Sequence, residues 1–159
     1  MNDRVCLLQE DYKGSEWFPW KVLVICQCLN KVSWMTAEKV VVKLFTQYPS
    51  PANFDLLFLT YLEGSELEID LYAILRPLGF GMKRVYRLID MSLAYVDAMS
   101  DFGSNYEEYP VTNFSGCGQY ALDAWRLFVL KKACRPDDRL LRKYAEREGL
   151  WKDDFKEHL

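Results

Sequence analysis

Two adjacent aspartates have the clearest chemical use in this sequence. Asp137 and Asp138 directly follow Pro136, where a last helix is predicted to begin. A fixed carboxylate there could stabilise a developing positive charge, and could orient or deprotonate an attacking water. Taken alone, aspartates in such a position are more often simple helix caps.

A glycine-containing turn is the second feature with a chemical use. The segment Phe114-Ser-Gly-Cys-Gly-Gln-Tyr120 lies before a predicted helix, with glycines at positions 116 and 118. Two glycines one residue apart permit a turn whose backbone N–H groups converge outward and bind phosphate. An ordinary interhelical turn has the same pattern, so the basic residues that follow are needed to favour an anion.

Charge is distributed unevenly along the chain. The net charge of −3 argues mildly against a nucleic-acid partner, since phosphate-binding domains usually carry a basic excess. However, basic residues dominate positions 131–143, where Arg139 and Arg142 lie in the predicted last helix, and acidic residues gather at 63–70 and 101–108. The basic cluster indicates either a phosphate-binding surface or a solvated helix face.

Apolar residues recur at helical spacing, and no segment alternates as a strand would. Helices are predicted over 20–29, 36–48, 50–57, 69–75, 82–99 and 121–133, and from Pro136 to about Glu148. We therefore predict an all-α fold with one domain over 1–159, in which the tail 150–159 frays.

Several classes of protein are disfavoured by what the sequence lacks. It has no apolar run of about 20 residues, so we expect a soluble, intracellular protein without a membrane partner. The five cysteines fit no metal-site spacing and are predicted to be reduced and mostly buried. His158, the single histidine, lies at the terminus and is a poor catalytic candidate. We expect no metal and no required cofactor.

The glycine-containing turn, called the hairpin from here on, and the segment after it resemble the helix-hairpin-helix (HhH-GPD) DNA glycosylase superfamily. The resemblance is greatest to its methyl-CpG-binding thymine/uracil glycosylases. The resemblance runs over about residues 6–150. It rests on the segments 114–128 and 135–144, and on Leu7-Leu-Gln-Glu10, Pro19-Trp-Lys-Val-Leu23, Leu29-Asn30 and Pro77-Leu-Gly79. It implies a helix-hairpin-helix helical bundle that acts on double-stranded DNA with a flipped nucleotide.

The resemblance also implies roles for individual residues. Asp138 matches the catalytic aspartate, and Gln9 matches a glutamine that hydrogen-bonds a flipped pyrimidine. Lys31 and Phe80 match two wedges that enter the duplex, although the family has arginine at the first. The remaining predicted DNA contacts are Gly116, Gly118 and Gln119 of the hairpin, with Arg139 and Arg142 of the basic cluster. The hairpin could also hold a monovalent cation.

Tyr120 occupies the hairpin position where relatives with lyase activity place a lysine. A tyrosine cannot form an imine with an abasic sugar, so we predict a monofunctional enzyme. Tyr120 would then pack against the extruded base, or else belong to the core. Here the family's Asn-Asp pair is Leu122-Asp123, which leaves the identity of the substrate open.

Three functions remain open from the sequence. The first is a monofunctional glycosylase that removes mispaired uracil, thymine or a 5-substituted uracil in base excision repair. The second is a bacteriophage-type transferase that places an amino acid or polyamine on activated 5-hydroxymethyluracil in DNA. The third is a DNA-binding or protein-interaction module without catalysis. Protein partners are not predicted.

Overall fold

The computed structural model describes residues 7–54 and 67–153. Within these ranges the chain is helical and forms no strand, and a single isolated bridge pairs Cys134 with Trp151. The prediction of an all-α fold is therefore confirmed. The helices are α1 (Phe18–Leu29), α2 (Trp34–Gln47), α3 (Leu67–Leu75), α4 (Met82–Phe102), α5 (Gln119–Ala124) and α6 (Arg139–Arg147).

Helix α1 lies at the centre of the structure. It contacts α2, α4, α5 and the 3-10 helix Leu8–Tyr12. Pro19 occupies its first turn, where a missing N–H costs nothing, and the side chains from Val22 to Cys26 are buried. The Trp20 indole N–H donates to the Ser92 hydroxyl of α4 at 3.0 Å, so the apolar centre also contains a satisfied polar contact.

Helices α4 and α5 end at residues other than those predicted because of the local backbone at their C-terminal ends. Helix α4 continues to Phe102 and stops at Gly103, which has a φ of 56° and donates its N–H to the Met99 carbonyl. Helix α5 changes after Ala124 into a π-helical segment, Trp125–Leu130, and ends at Lys131 with a φ of 52°. The predicted helix over 121–133 therefore begins and ends earlier.

The last helix also begins later than predicted. Its first residue is Arg139, not a residue next to Pro136, because Asp138 has an extended backbone and caps the helix with its side chain. Asp138 thus lies at the cap and not within the first turn. The segment after the helix remains paired, since Cys134 accepts from Lys152 N–H at 3.2 Å and donates to the Leu150 carbonyl at 3.0 Å.

Some predictions fall wholly or partly outside the described residues. In the predicted helix 50–57, the N–H groups of Asn53 and Phe54 bond back to Ser50 and Pro51, and positions 55–57 are not described. Cys6, His158 and positions 154–159 also lie outside.

The other four cysteines are free and buried, as predicted. In the described ranges, no helix combines the length and the apolar character needed to span a bilayer.

Candidate functional site

Most of the predicted site residues line one open cleft of about 1140 Å³. The cleft lies between the C-terminal end of α1, the glycine turn 114–118 and the N-terminal end of α6. Its predicted members are Lys31, Gly116, Gly118, Gln119, Tyr120, Asp138 and Arg139. Three segments that are distant in sequence therefore meet at a single surface. Gln9, Phe80 and Arg142 do not line the cleft.

Asp138 is held at the wall of the cleft by the backbone of α6. Its Oδ1 accepts from the N–H groups of Leu140 at 3.0 Å and Leu141 at 2.9 Å. This is the usual contact of an N-cap side chain, and it orients the carboxylate. Within residues 7–54 and 67–153, Oδ2 has no hydrogen-bond partner. Asp138 therefore both caps the helix and offers a second oxygen to the cleft.

Gln9 is fully buried directly behind Tyr120. Its Nε2 donates to the Tyr120 hydroxyl at 3.3 Å and approaches the Cys26 Sγ at 3.8 Å. Its Oε1 is buried, and no described residue donates to it. Exchanging the amide oxygen and nitrogen would leave the nitrogen without a partner instead, because both neighbours lie on one side of the group. One polar atom of Gln9 is thus available to a bound molecule, at the usual cost of a buried unpaired group.

The groups around Gln9 remain neutral at ordinary pH. Burial raises the pKa of the Tyr120 hydroxyl well above its ordinary value, and the nearby Cys26 thiol and Asp138 carboxylate add to the rise. Burial likewise raises the pKa of Cys26, again with a contribution from Asp138. Burial is the main cause of both shifts, and the charge of Asp138 is the smallest contribution. Asp138 therefore shares the cleft lining with two groups that stay neutral, Tyr120 and Cys26.

The two glycines of the turn are suited to their positions for different physical reasons. Gly116 has a φ of +75°, and an added Cβ would lie 3.0 Å from the side-chain amide of Gln27. That amide donates to the Ser115 carbonyl at 2.7 Å, so α1 supports the turn from below. Gly118 has a φ of −113° and open space at its Cβ position. Only Gly116 needs a left-handed backbone, whereas Gly118 keeps the cleft surface unobstructed.

The turn is not placed between two regular α-helices. A 3-10 helix, Val111–Asn113, precedes it, and α5 follows at Gln119. The side-chain amide of Gln119 donates to Asp123 at 2.9 Å, one turn along α5. Gln119 is thus tied to its own helix while its position borders the cleft.

Lys31 lines the cleft, and Phe80, which does not line it, lies beside Lys31. The Lys31 ammonium is 5.9 Å from the centre of the Phe80 ring, and the ring is 53% exposed. Both residues have left-handed backbones, with φ values of 57° and 63°. An exposed aromatic side chain under a cation is suited to contacts with a flat, anionic partner.

The basic residues of α6 divide into two groups. Arg139 and Lys143 line the cleft and are exposed. Arg142 instead stacks on Trp151, with 4.6 Å between the guanidinium carbon and the ring centre, and its Nε pairs with Glu146 at 3.0 Å. The structure thus brings Arg139 to the cleft and leaves Arg142 beside it.

Sequence analysis missed several residues that the fold places at this site. Lys143, Trp34, Leu140 and Cys26 all line the cleft. Lys143 follows Arg139 by four residues, so helical spacing from a predicted residue could have identified it. Trp34 opens α2 two residues before the predicted start, and nothing in its local pattern distinguishes it from a core tryptophan.

Comparison with known proteins gives one informative relative. No protein-family model matches the chain. A curated methyl-CpG-binding domain protein 4-like protein from Arabidopsis thaliana is 33% identical to it over 140 residues. The match covers 87% of this chain and 27% of that protein, so the chain spans about a quarter of the relative's length. The chain is therefore similar to a segment of a protein that is named for a methyl-CpG-binding domain.

Proposed function

We propose that this chain is a monofunctional DNA glycosylase, which excises a flipped, mispaired pyrimidine from double-stranded DNA. The substrate would be uracil, thymine or a 5-substituted uracil. The observation that carries the proposal is that Asp138 and Tyr120 line one basic cleft, with the Gln9 amide buried behind Tyr120. The similarity to the methyl-CpG-binding domain protein 4-like protein supports DNA as the partner.

The chemistry assigned to Asp138 follows from its two oxygens. As the bond between C1′ and the base nitrogen breaks, the electron pair leaves with the base and positive charge develops on the sugar. The carboxylate stabilises that charge, while Oδ1 remains fixed by the N–H groups of Leu140 and Leu141. Oδ2 then takes a proton from water as the water oxygen bonds to C1′. The departing base is protonated by solvent.

The pocket behind the cleft suits the imide edge of uracil or thymine. Gln9 Nε2 is already engaged by Tyr120 and Cys26, so Oε1 remains as an acceptor. Uracil and thymine carry an N3–H donor that could satisfy this atom, whereas cytosine has an acceptor at N3. Opening of the pocket beside Tyr120 would allow this contact. The unpaired oxygen thus suits the N3–H of uracil or thymine, whereas cytosine would have to present its exocyclic amino group to the same atom.

Basic residues at the cleft would bind the DNA backbone. Lys31, Arg139 and Lys143 are exposed around it, so cations outnumber the single acidic residue of the lining. Phosphate contacts of this kind supply affinity and position without reading sequence. The overall net charge of −3 does not prevent such contacts, because the charges nearest to the bound strand act on it most strongly.

Two lysines of the cleft bear on monofunctionality. Tyr120 offers no amine at the hairpin, but Lys31 and Lys143 also line the cleft. Borohydride trapping on a uracil-containing duplex tests this directly, because an imine would be reduced to a stable protein–DNA adduct. We expect no adduct with the wild-type protein. An adduct that forms with the wild type and is lost in Lys143→Gln would instead show lyase activity.

The proposed activity is tested with duplexes that carry G·U, G·T, or an activated 5-hydroxymethyluracil. The protein is incubated with each duplex, and the nucleosides and sugars are analysed by mass spectrometry. Abasic sites are the expected product, and Asp138→Asn should abolish them. Asp137→Asn is the matched control, since Asp137 is exposed and does not line the cleft.

Other products would indicate the other functions. An amine adduct on the base methylene, with the glycosidic bond intact, would identify a transferase. Binding of the duplex without any product would identify a DNA-binding module. Abasic sites that form equally with Asp138→Asn would contradict the assigned chemistry.

A further inference from the structure

Arg84 is a buried cation that joins two turns of the chain. Its Nη1 donates to the Gln27 carbonyl at 2.7 Å, and its Nη2 donates to the Asn30 carbonyl at 2.7 Å. Its Nε donates to the Gly79 carbonyl at 3.2 Å. The side chain is 7% exposed. One guanidinium on α4 therefore holds both the end of α1 and the turn before α4.

One of these turns carries Lys31, which lines the cleft, and the other carries Phe80, which contacts Lys31. Lys31 directly follows Asn30, and Phe80 directly follows Gly79. Both have a left-handed backbone, which is unfavourable for a side chain with a Cβ and persists only where neighbouring contacts enforce it. Arg84 donates a hydrogen bond to the carbonyl of the residue just before each of them, which is Asn30 before Lys31 and Gly79 before Phe80. Arg84 is thus placed to enforce both conformations together.

Arg84 also contacts one of the two side chains. Its guanidinium carbon lies 5.1 Å from the centre of the Phe80 ring, and Lys31 lies 5.9 Å from that centre. Arg84 thus supports the ring from the protein interior, while the ring itself remains half exposed.

We propose that Arg84 is a positioning residue, which holds Lys31 and Phe80 as one preformed unit for insertion into the duplex. This inference rests on the proposed function, because it assumes that a nucleotide leaves the stack and that a gap must be filled. Preforming the unit removes the conformational entropy that two mobile side chains would lose on insertion. Arg84 itself does not touch the substrate.

The geometry requires arginine at this position. A guanidinium presents five donors in one plane, so it can reach carbonyls that belong to two separate turns. Two of its acceptors lie at the C-terminal end of α1, where the helix dipole also favours a cation. Lysine would retain the charge but not the planar arrangement. Arg84→Lys should therefore leave the fold intact and loosen the unit.

The test compares excision of uracil from a G·U duplex with excision from a single strand. A single strand needs no gap to be filled, so its excision reports whether the catalytic cleft is intact. Arg84→Lys and Arg84→Met should lower the ratio of duplex to single-strand rates on the order of tenfold or more. Arg87→Met is the control, because it removes one exposed charge from the same helix and should leave the ratio near wild type.

A binding measurement separates this inference from the proposed activity. With 2-aminopurine beside the mismatch, wild-type protein should raise the fluorescence by unstacking the base, and Arg84→Lys should lose most of that rise. If the wild type unstacks the duplex but excises nothing, the glycosylase proposal fails and the positioning role stands. Equal fluorescence in the wild type and both variants, or no rise with the wild type, would overturn the role of Arg84.

Discussion

The side-chain amide of Gln9 donates to the hydroxyl of Tyr120 at 3.3 Å, although 111 positions separate the two residues in the chain. This contact joins the 3-10 helix Leu8–Tyr12 to the start of α5 immediately behind the cleft. It leaves one polar atom of the amide for a ligand, which is Oε1 in this structure because Nε2 is engaged.

Gln9→Leu should separate activity from stability. The substitution removes the unpaired Oε1 but also the donor to the Tyr120 hydroxyl, so the two effects oppose each other and the free energy of unfolding should change little. Excision of uracil should fall by about 10- to 100-fold, as expected for one lost hydrogen bond to the base. Urea denaturation and single-turnover kinetics measure the two effects. A variant that is less stable but equally active would show that Gln9 is only a core residue.

The charge of Asp138 should contribute to the excision rate, and its capping hydrogen bonds should contribute to stability. Asn caps helices as well as Asp does, so Asp138→Asn should keep the melting temperature while losing at least about 100-fold in excision rate. Asp138→Ala should lose the activity and also about 1 kcal/mol of stability, because the N–H groups of Leu140 and Leu141 lose their acceptor. If Asp138→Asn retained activity, the carboxylate would be structural.

Gly116 and Gly118 should respond differently to alanine. Gly116→Ala introduces a Cβ at a positive φ and 3.0 Å from Gln27, which should cost about 1 to 3 kcal/mol of stability. Gly118→Ala meets no atom within 4 Å and should fold normally, but it should weaken DNA binding by narrowing the approach to the turn. Thermal melting and binding isotherms test the pair, and equal destabilisation by both substitutions would contradict this assignment.

Substitution of the two arginines of α6 should affect the salt dependence of DNA binding differently. Arg139 lines the cleft, so Arg139→Gln should reduce the slope of log K against log salt by about 1. Arg142 is stacked on Trp151 and paired with Glu146, so Arg142→Gln should change the slope much less. Binding isotherms at several salt concentrations give both slopes, and equal slopes would show that Arg142 also contacts phosphate.

Stability should fall at alkaline pH because of the buried thiols. Burial raises the pKa of Cys28 to about 12, and that of Cys117 and Cys134 to about 11. These thiols ionise near their ordinary value of 9.0 in the unfolded chain, so their contribution is complete below that pH and is lost as the pH rises towards 11 to 12. Urea denaturation should therefore show a smaller free energy of unfolding at higher pH, and Cys117→Ala should weaken that dependence.

The sequence determined the features that depend on local pattern. Apolar spacing predicted the central helix α1 and the long helix α4, and the absence of strand alternation predicted the all-α class. Bounds were less accurate where a side chain or an unusual turn decides the end of a helix. Asp138 moved the start of α6 to Arg139, and a π-helical segment brought the end of the preceding helix forward to Leu130.

The tertiary structure alone decided which residues share the site and what each can still do. Pattern could nominate Asp138, Tyr120 and Gln9, but only packing shows that the Gln9 amide is half satisfied and that Asp138 keeps one oxygen unbonded among the described residues. Nothing in the local sequence pattern distinguishes Arg84, which is buried and donates to three carbonyls. Hydrogen bonds between segments that are distant in sequence leave no periodic trace, so such roles emerge only when the chain is folded.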